Sequence, residues 1–127
     1  MISAKRNSGL AAEITARKHS IIAGVSAALG GQDEGLNPHE ILEGALAACT
    51  IITVQMYANR KGIKLESTDV VVKILEEGAE TKISRKISLR GELSEDEKTR
   101  LMEIADKCPI HKLLESKVAI QTEIENT

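Results

Sequence analysis

The sequence predicts an α+β fold on a single domain spanning residues 1–127, with elements in the order β-β-β-α-β-β-α-β. Three observations predict it. Short segments alternating apolar with polar residues sit on either side of a long apolar stretch. That stretch, NPHEILEGALAACTIITVQMYANRKG (residues 37–62), carries helix start and stop signals at its two ends. A second helix start, SEDE at residues 94–97, follows in the last third. A chain of 127 residues is long enough to bury a core without crosslinks. With no Phe or Trp and only Tyr57 as an aromatic, that core must be built from Ile, Leu, Val, Ala and Met.

The first 25 residues read as three short strands. Asn7 to Gly9 turns the chain between the first two, and Arg17-Lys18-His19 between the next two. LGGQDEGLNP, residues 29–38, has the Gly, Pro and polar content of a loop that leads into a helix. Asn37 suits the N-cap and Pro38 the first helical position. Gly62 supplies the stop, and Arg60 and Lys61 place positive charge at the negative end of the helix dipole. Ile41, Leu42, Ala45, Leu46, Cys49, Ile52 and Met56 share one broad face, while Ala47, Ile51, Val54 and Ala58 cover much of the other. A helix apolar nearly all round is buried on more than one side.

STDVVVKILEEG and TKISRKISLRGEL alternate Val, Ile and Leu with charge and form a hairpin around residues 76–80. Ser94 and Glu97 form a capping box, with Leu101, Ile104, Ala105 and Cys108 at helical spacing behind it. Pro109 interrupts this helix. A further short turn through Leu114 then starts with Cys108 as cap and Pro109 as first residue. Val118 to Glu125 alternates and makes a last strand.

Charge and composition narrow the function. The 17 basic and 19 acidic residues are mixed along the chain, leaving no basic footprint for a polyanion, and one aromatic is no stacking platform, so nucleic acid is not an expected partner. The N-terminus lacks the apolar core of a secretory signal, and no apolar run approaches the ~20 residues that cross a bilayer. The expected address is therefore the cytoplasm, with no membrane contact, where two cysteines do not make a structural disulfide framework.

The two thiols are the candidate chemistry. Cys49 sits in the most hydrophobic face of the long helix, where a free cysteine ordinarily serves as a small core group. Cys108 stands where a short helix begins, a place that favours an anion and lowers a thiol pKa. Two such residues form a disulfide only if the fold brings their Cα atoms to ~5.5 Å. If it does, one thiolate can attack an electrophilic oxygen and the other can condense with the resulting sulfenic acid.

GLNPHEILEGALAACT, MYANRKG and DKCPIHKLL together resemble, in family order and over essentially the whole chain, the OsmC/Ohr family of osmotically induced proteins and organic hydroperoxide reductases. The resemblance implies an intertwined homodimer with antiparallel sheets wrapped around two central helices. It implies cysteine-based reduction of alkyl or lipid hydroperoxides in oxidative stress defence, with Cys49 attacking and Cys108 resolving. No cofactor is implied; an external dithiol of the lipoyl-linked kind would reopen the disulfide.

The same resemblance implies two helpers: an acid near the Asn-Pro pair and an arginine from the first strands. Family peroxidases carry Glu directly after Asn-Pro, whereas here that place holds His39 and the acid is Glu40. Nine helical residues put Glu40 about 13 Å along the axis from Cys49, so it would serve the partner subunit, or act simply as a first-turn acid. Arg6 matches the arginine by its place before a turn glycine, with Arg17 behind it.

Two other readings compete. Cys108-x-x-His111 with Cys49 and His39 offers zinc donors of the right kind, but His39 and Cys49 are about 15 Å apart along the helix. Alternatively, the chain is an OsmC-like dimer with little peroxidase activity that binds a small apolar ligand, the cysteines lining its pocket.

Overall fold

In the computed structural model, which describes residues 1–125, the chain divides into two compact units, Met1–Gly44 and the part from Ala45 onward. The first unit holds an antiparallel sheet of β1 (Ser3–Arg6), β2 (Ala12–Ala16) and β3 (His19–Ala23), in that order. Its two turns fall where the turn residues predict them. Arg17 adopts a left-handed φ of 57° between β2 and β3, so a two-residue turn closes that hairpin. Beyond β3, Leu36 bridges back to Ala23, and the Gly24 N–H donates to the Leu36 carbonyl at 3.1 Å, fixing the loop that leads into the long helix.

That helix, α1 (Pro38–Lys61), begins at the end of the first unit and runs on in the second. Both ends are built as the cap residues predict. The Asn37 side chain accepts the Glu40 N–H at 2.8 Å, and the Glu40 carboxylate accepts the Asn37 N–H at 2.9 Å. This reciprocal arrangement satisfies two amide donors that the helix itself cannot. At the other end Gly62 takes φ +69°, and the Ile63 N–H reaches the Ala58 carbonyl at 2.9 Å, a Schellman stop that a β-carbon would strain.

In the second unit, β4 (Leu65–Glu76) and β5 (Lys82–Gly91) pair antiparallel, with Val72 opposite Arg85 and Val70 opposite Ile87. The helix α2 (Glu95–Ala105) starts with the expected Ser94–Glu97 capping box, and α3 (Pro109–Leu114) starts after Cys108. Val54, Tyr57, Ala58, Leu65, Leu101, Ile104 and Ala105 form the core, flanked by Ile63, Ile87, Leu89 and Leu93. The one aromatic is buried with its polar end satisfied: Arg100 Nε donates to the Tyr57 hydroxyl at 2.9 Å.

Three differences from the sequence reading have physical causes. The stripe of α1 that enters the core is Leu46, Thr50, Val54, Tyr57 and Ala58, while Ile52 and Met56 stay 58% and 63% exposed. On a helix apolar all round, hydropathy cannot choose a face; the shape of the opposing sheet and of α2 does. The expected strand at Val118–Glu125 forms no ladder: the segment pairs with neither sheet although both leave edges open, because alternation makes a segment able to pair without supplying the neighbour that holds it there. Finally, the 24-residue α1 is by length and composition apolar enough to cross a bilayer, an 18-residue stretch of it reaching a mean hydropathy of 1.5, which corrects the expectation that no such run exists. One stripe of that apolarity lines the core.

Leu101 is 1% exposed and among the largest fully buried side chains. Leu101→Ala should therefore lower unfolding free energy by about 2–5 kcal/mol. Met102→Ala, next to it and 46% exposed, should change it by less than about 1 kcal/mol. Urea denaturation of the two variants checks the contrast, and equal effects would mean that the core has been misplaced.

Candidate functional site

The turn between α2 and α3 places Cys108 inside the protein. The α2 helix ends at Ala105, the Cys108 N–H reaches back to the Ala105 carbonyl at 3.2 Å, and Pro109 can open a helix but not continue one. The chain therefore bends at Cys108, whose side chain is wholly buried. Cys49, facing it from α1, is only partly buried. Its sulfur lies 3.8 Å from Thr53 Oγ1, one helical turn on, and is near enough to the Cys108 thiol and the Ile110 N–H for both to act on its acidity. The two cysteines are thus brought together, and both are free thiols.

Their surroundings pull the two thiols apart in acidity. For Cys49, burial is the largest single influence and raises the pKa. The Cys108 thiol, the Ile110 N–H and the Thr53 hydroxyl together outweigh it, and the pKa falls below the ordinary 9.0. For Cys108, burial again comes first, and the adjacent Cys49 sulfur adds to it; the N–H groups of His111 and Ile110 do not offset the two, so its pKa rises. Of the two, Cys49 is therefore the thiol that ionises first, while Cys108 keeps its proton longer.

A pH profile of alkylation by iodoacetamide should consequently show one thiol per chain reacting with an inflection below 9.0 and the second with an inflection above it. Cys49→Ser should remove the lower inflection. A single shared inflection at the ordinary value would contradict the arrangement.

The other residues singled out in the sequence are placed elsewhere. Glu40 spends both its amide and its carboxylate on the α1 cap described above. Arg6 ends β1, exposed and opposite Ala12, and Arg17 occupies the β2–β3 turn. Both Arg6 and Glu40 belong to the first unit. The zinc alternative finds no donor set: among the described residues no three His, Cys, Asp or Glu side chains gather as ligands, and His111 Nε2 instead bonds Glu115 Oε1 at 2.9 Å.

The arginine of this neighbourhood is Arg85 on β5, which sequence reasoning missed. Its guanidinium donates through Nη1 to Thr50 Oγ1 at 3.1 Å and to the Ala105 carbonyl at 3.3 Å, and through Nη2 to Asp106 Oδ1 at 2.8 Å. The signal was parity. Residues 83, 85, 87 and 89 share one face of β5, and Ile83, Ile87 and Leu89 are that strand's partly buried apolar residues. An arginine in that register has to point inward and find partners. Arg85 also lines a cavity of about 330 Å³ with Leu46, Ile83, Leu114, Thr81, His111 and Glu115, a mixture of aliphatic and polar walls.

No curated protein matches the sequence. Solved structures do match the fold. An OsmC-like protein from Mycoplasma pneumoniae is 20% identical, with a TM-score of 0.78 over 90% of this chain and 85% of that one. The organic hydroperoxide resistance protein OsmC of Legionella pneumophila is 22% identical, with a TM-score of 0.66 over 91% and 89% of the two chains. The organic hydroperoxide resistance protein OhrB of Bacillus subtilis is 20% identical, with a TM-score of 0.62 over 91% and 89%. A profile of OsmC-like proteins matches residues 31–123, most of the chain and both cysteines. The chain, with its mixed α+β fold of antiparallel sheets and helices, belongs to the OsmC-like family.

Proposed function

We propose that this protein is a thiol-dependent peroxidase that reduces organic hydroperoxides to alcohols. The observation that carries the reading is the contact between the Cys49 and Cys108 sulfurs with their acidities pulled in opposite directions. In the proposed cycle the Cys49 thiolate attacks the terminal peroxide oxygen. The O–O bond breaks, a Cys49 sulfenic acid forms, and the alkoxide leaves and takes up a proton to become the alcohol. The Cys108 sulfur then attacks the Cys49 sulfur; its proton and the sulfenic hydroxyl depart as water, and a disulfide remains. Two thiols have surrendered two electrons, and an external dithiol returns them by exchange.

Hydroperoxide resistance in the names of the Legionella and Bacillus relatives supports this substrate class. The working form in this reading is a cytoplasmic homodimer. Uncovered Ile52 and Met56 on α1 support it, as do exposed Val118, Ile120 and Ile124 in the segment that lacks a ladder. Arg6 and Glu40 keep their proposed helper roles across that dimer, Glu40 leaving its cap to do so.

Free thiols counted before and after one equivalent of cumene hydroperoxide test the proposal. Loss of two thiols per chain, restored by a dithiol, is the expected result. Two thiols still free, with the hydroperoxide intact, would reject it in favour of a dimer that only binds apolar molecules in the cavity beside Leu46 and Leu114.

A further inference from the structure

We propose that Arg85 is a positioning residue of the redox pair: from a third element, β5, one guanidinium sets the spacing of the Cys49 and Cys108 backbones. The proposal rests on the reading that the pair cycles between dithiol and disulfide. Arg85 is 11% exposed and sits on the inward register of β5. One of its partners, Thr50, follows Cys49 directly, is fully buried, and is itself held by its bond to the Leu46 carbonyl at 2.7 Å. Another, the Ala105 carbonyl, is the group that accepts the Cys108 N–H. The same Nη1 therefore reaches the residue beside one cysteine and the acceptor that anchors the other.

A disulfide requires the two Cβ atoms to come within a narrow range, and a pair held near it closes more favourably than one that must be collected from a wider spread. Asp106, 70% exposed, holds the outer end of the guanidinium and neutralises it. The fork geometry matters more here than the charge, because a single ammonium cannot span Thr50, Ala105 and Asp106 with fixed angles.

The test is the equilibrium of the purified protein with glutathione and glutathione disulfide. There the cysteine pair gives up two protons and two electrons, and glutathione disulfide leaves as two glutathiones. Wild type, Arg85→Lys, Arg85→Met and Thr50→Val are compared, with urea unfolding of each reduced protein alongside. Arg85→Met and Thr50→Val should each lower the effective concentration of the pair about tenfold, which corresponds to a potential about 30 mV less negative. The double variant should lose little more than either single one. Arg85→Lys should restore the stability of the reduced protein without restoring the effective concentration. Should Arg85→Met fail to fold, Arg85→Lys and Thr50→Val carry the comparison alone.

Variants that are destabilised when reduced, yet close the disulfide as readily as wild type, would overturn the role and leave Arg85 a structural group only. A wild-type protein that forms no Cys49–Cys108 disulfide at any glutathione ratio would instead overturn the peroxidase reading, and this inference with it.

Discussion

Cys49→Ser is expected to reduce hydroperoxide consumption to the rate of the uncatalysed reaction while leaving the fold in place. The loss is chemical. A serine hydroxyl beside the Ile110 N–H and the Thr53 hydroxyl stays protonated at neutral pH, and it offers no polarisable anion to attack an O–O bond. The fold survives because Cys49 lies outside the core cluster of Val54, Tyr57, Leu101 and Ile104, and a partly buried hydroxyl can take over the same hydrogen-bond partners. The stability cost should stay within about 1 kcal/mol. Peroxide assays and urea unfolding of the same preparation separate the two effects. A Cys49→Ser protein that still turns over hydroperoxide at the wild-type rate would remove Cys49 from the reaction.

What was legible in the sequence was mostly what short-range chemistry decides. Asn37-Pro38, Gly62, Ser94 with Glu97, and Cys108-Pro109 each mark a helix boundary by a local hydrogen bond or a missing donor, and each boundary is found there. Turns between strands were legible for the same reason. The buried face of α1 was not, because both faces are apolar and only tertiary contacts distinguish Leu46 and Val54 from Ile52 and Met56. Nor can spacing show that Cys49 and Cys108 touch; that expectation came from resemblance to a family, and the packing of α1 against the α2–α3 bend supplies the contact. Arg85 was overlooked because charge on a strand is usually read as solvent-facing, even where its neighbours two residues away on either side are Ile83 and Ile87.

Cys108→Ser should convert repeated turnover into a single event. With Cys49 intact, the first equivalent of hydroperoxide is consumed and one oxygen atom is added per chain, but no second sulfur closes on it. Further peroxide then drives the sulfenic acid to the sulfinic form, which a dithiol does not reverse. Intact-mass measurement after one and after several equivalents would show the sequence, and sustained turnover would mean that the reductant attacks the sulfenic acid directly. Comparison with Cys108→Ala adds a second readout. Cys49 owes the largest of its pKa-lowering influences to the Cys108 side chain. A serine hydroxyl can still donate to the Cys49 thiolate; a methyl group cannot. The alkylation inflection of Cys49 should therefore move up in Cys108→Ala, toward the 9.0 of an ordinary thiol, and stay lower in Cys108→Ser. Burying that serine in place of a fully enclosed thiol should cost about 1–3 kcal/mol. If the two variants alkylate alike, the acidity of Cys49 is set by Ile110 and Thr53, and Cys108 serves only to close the disulfide.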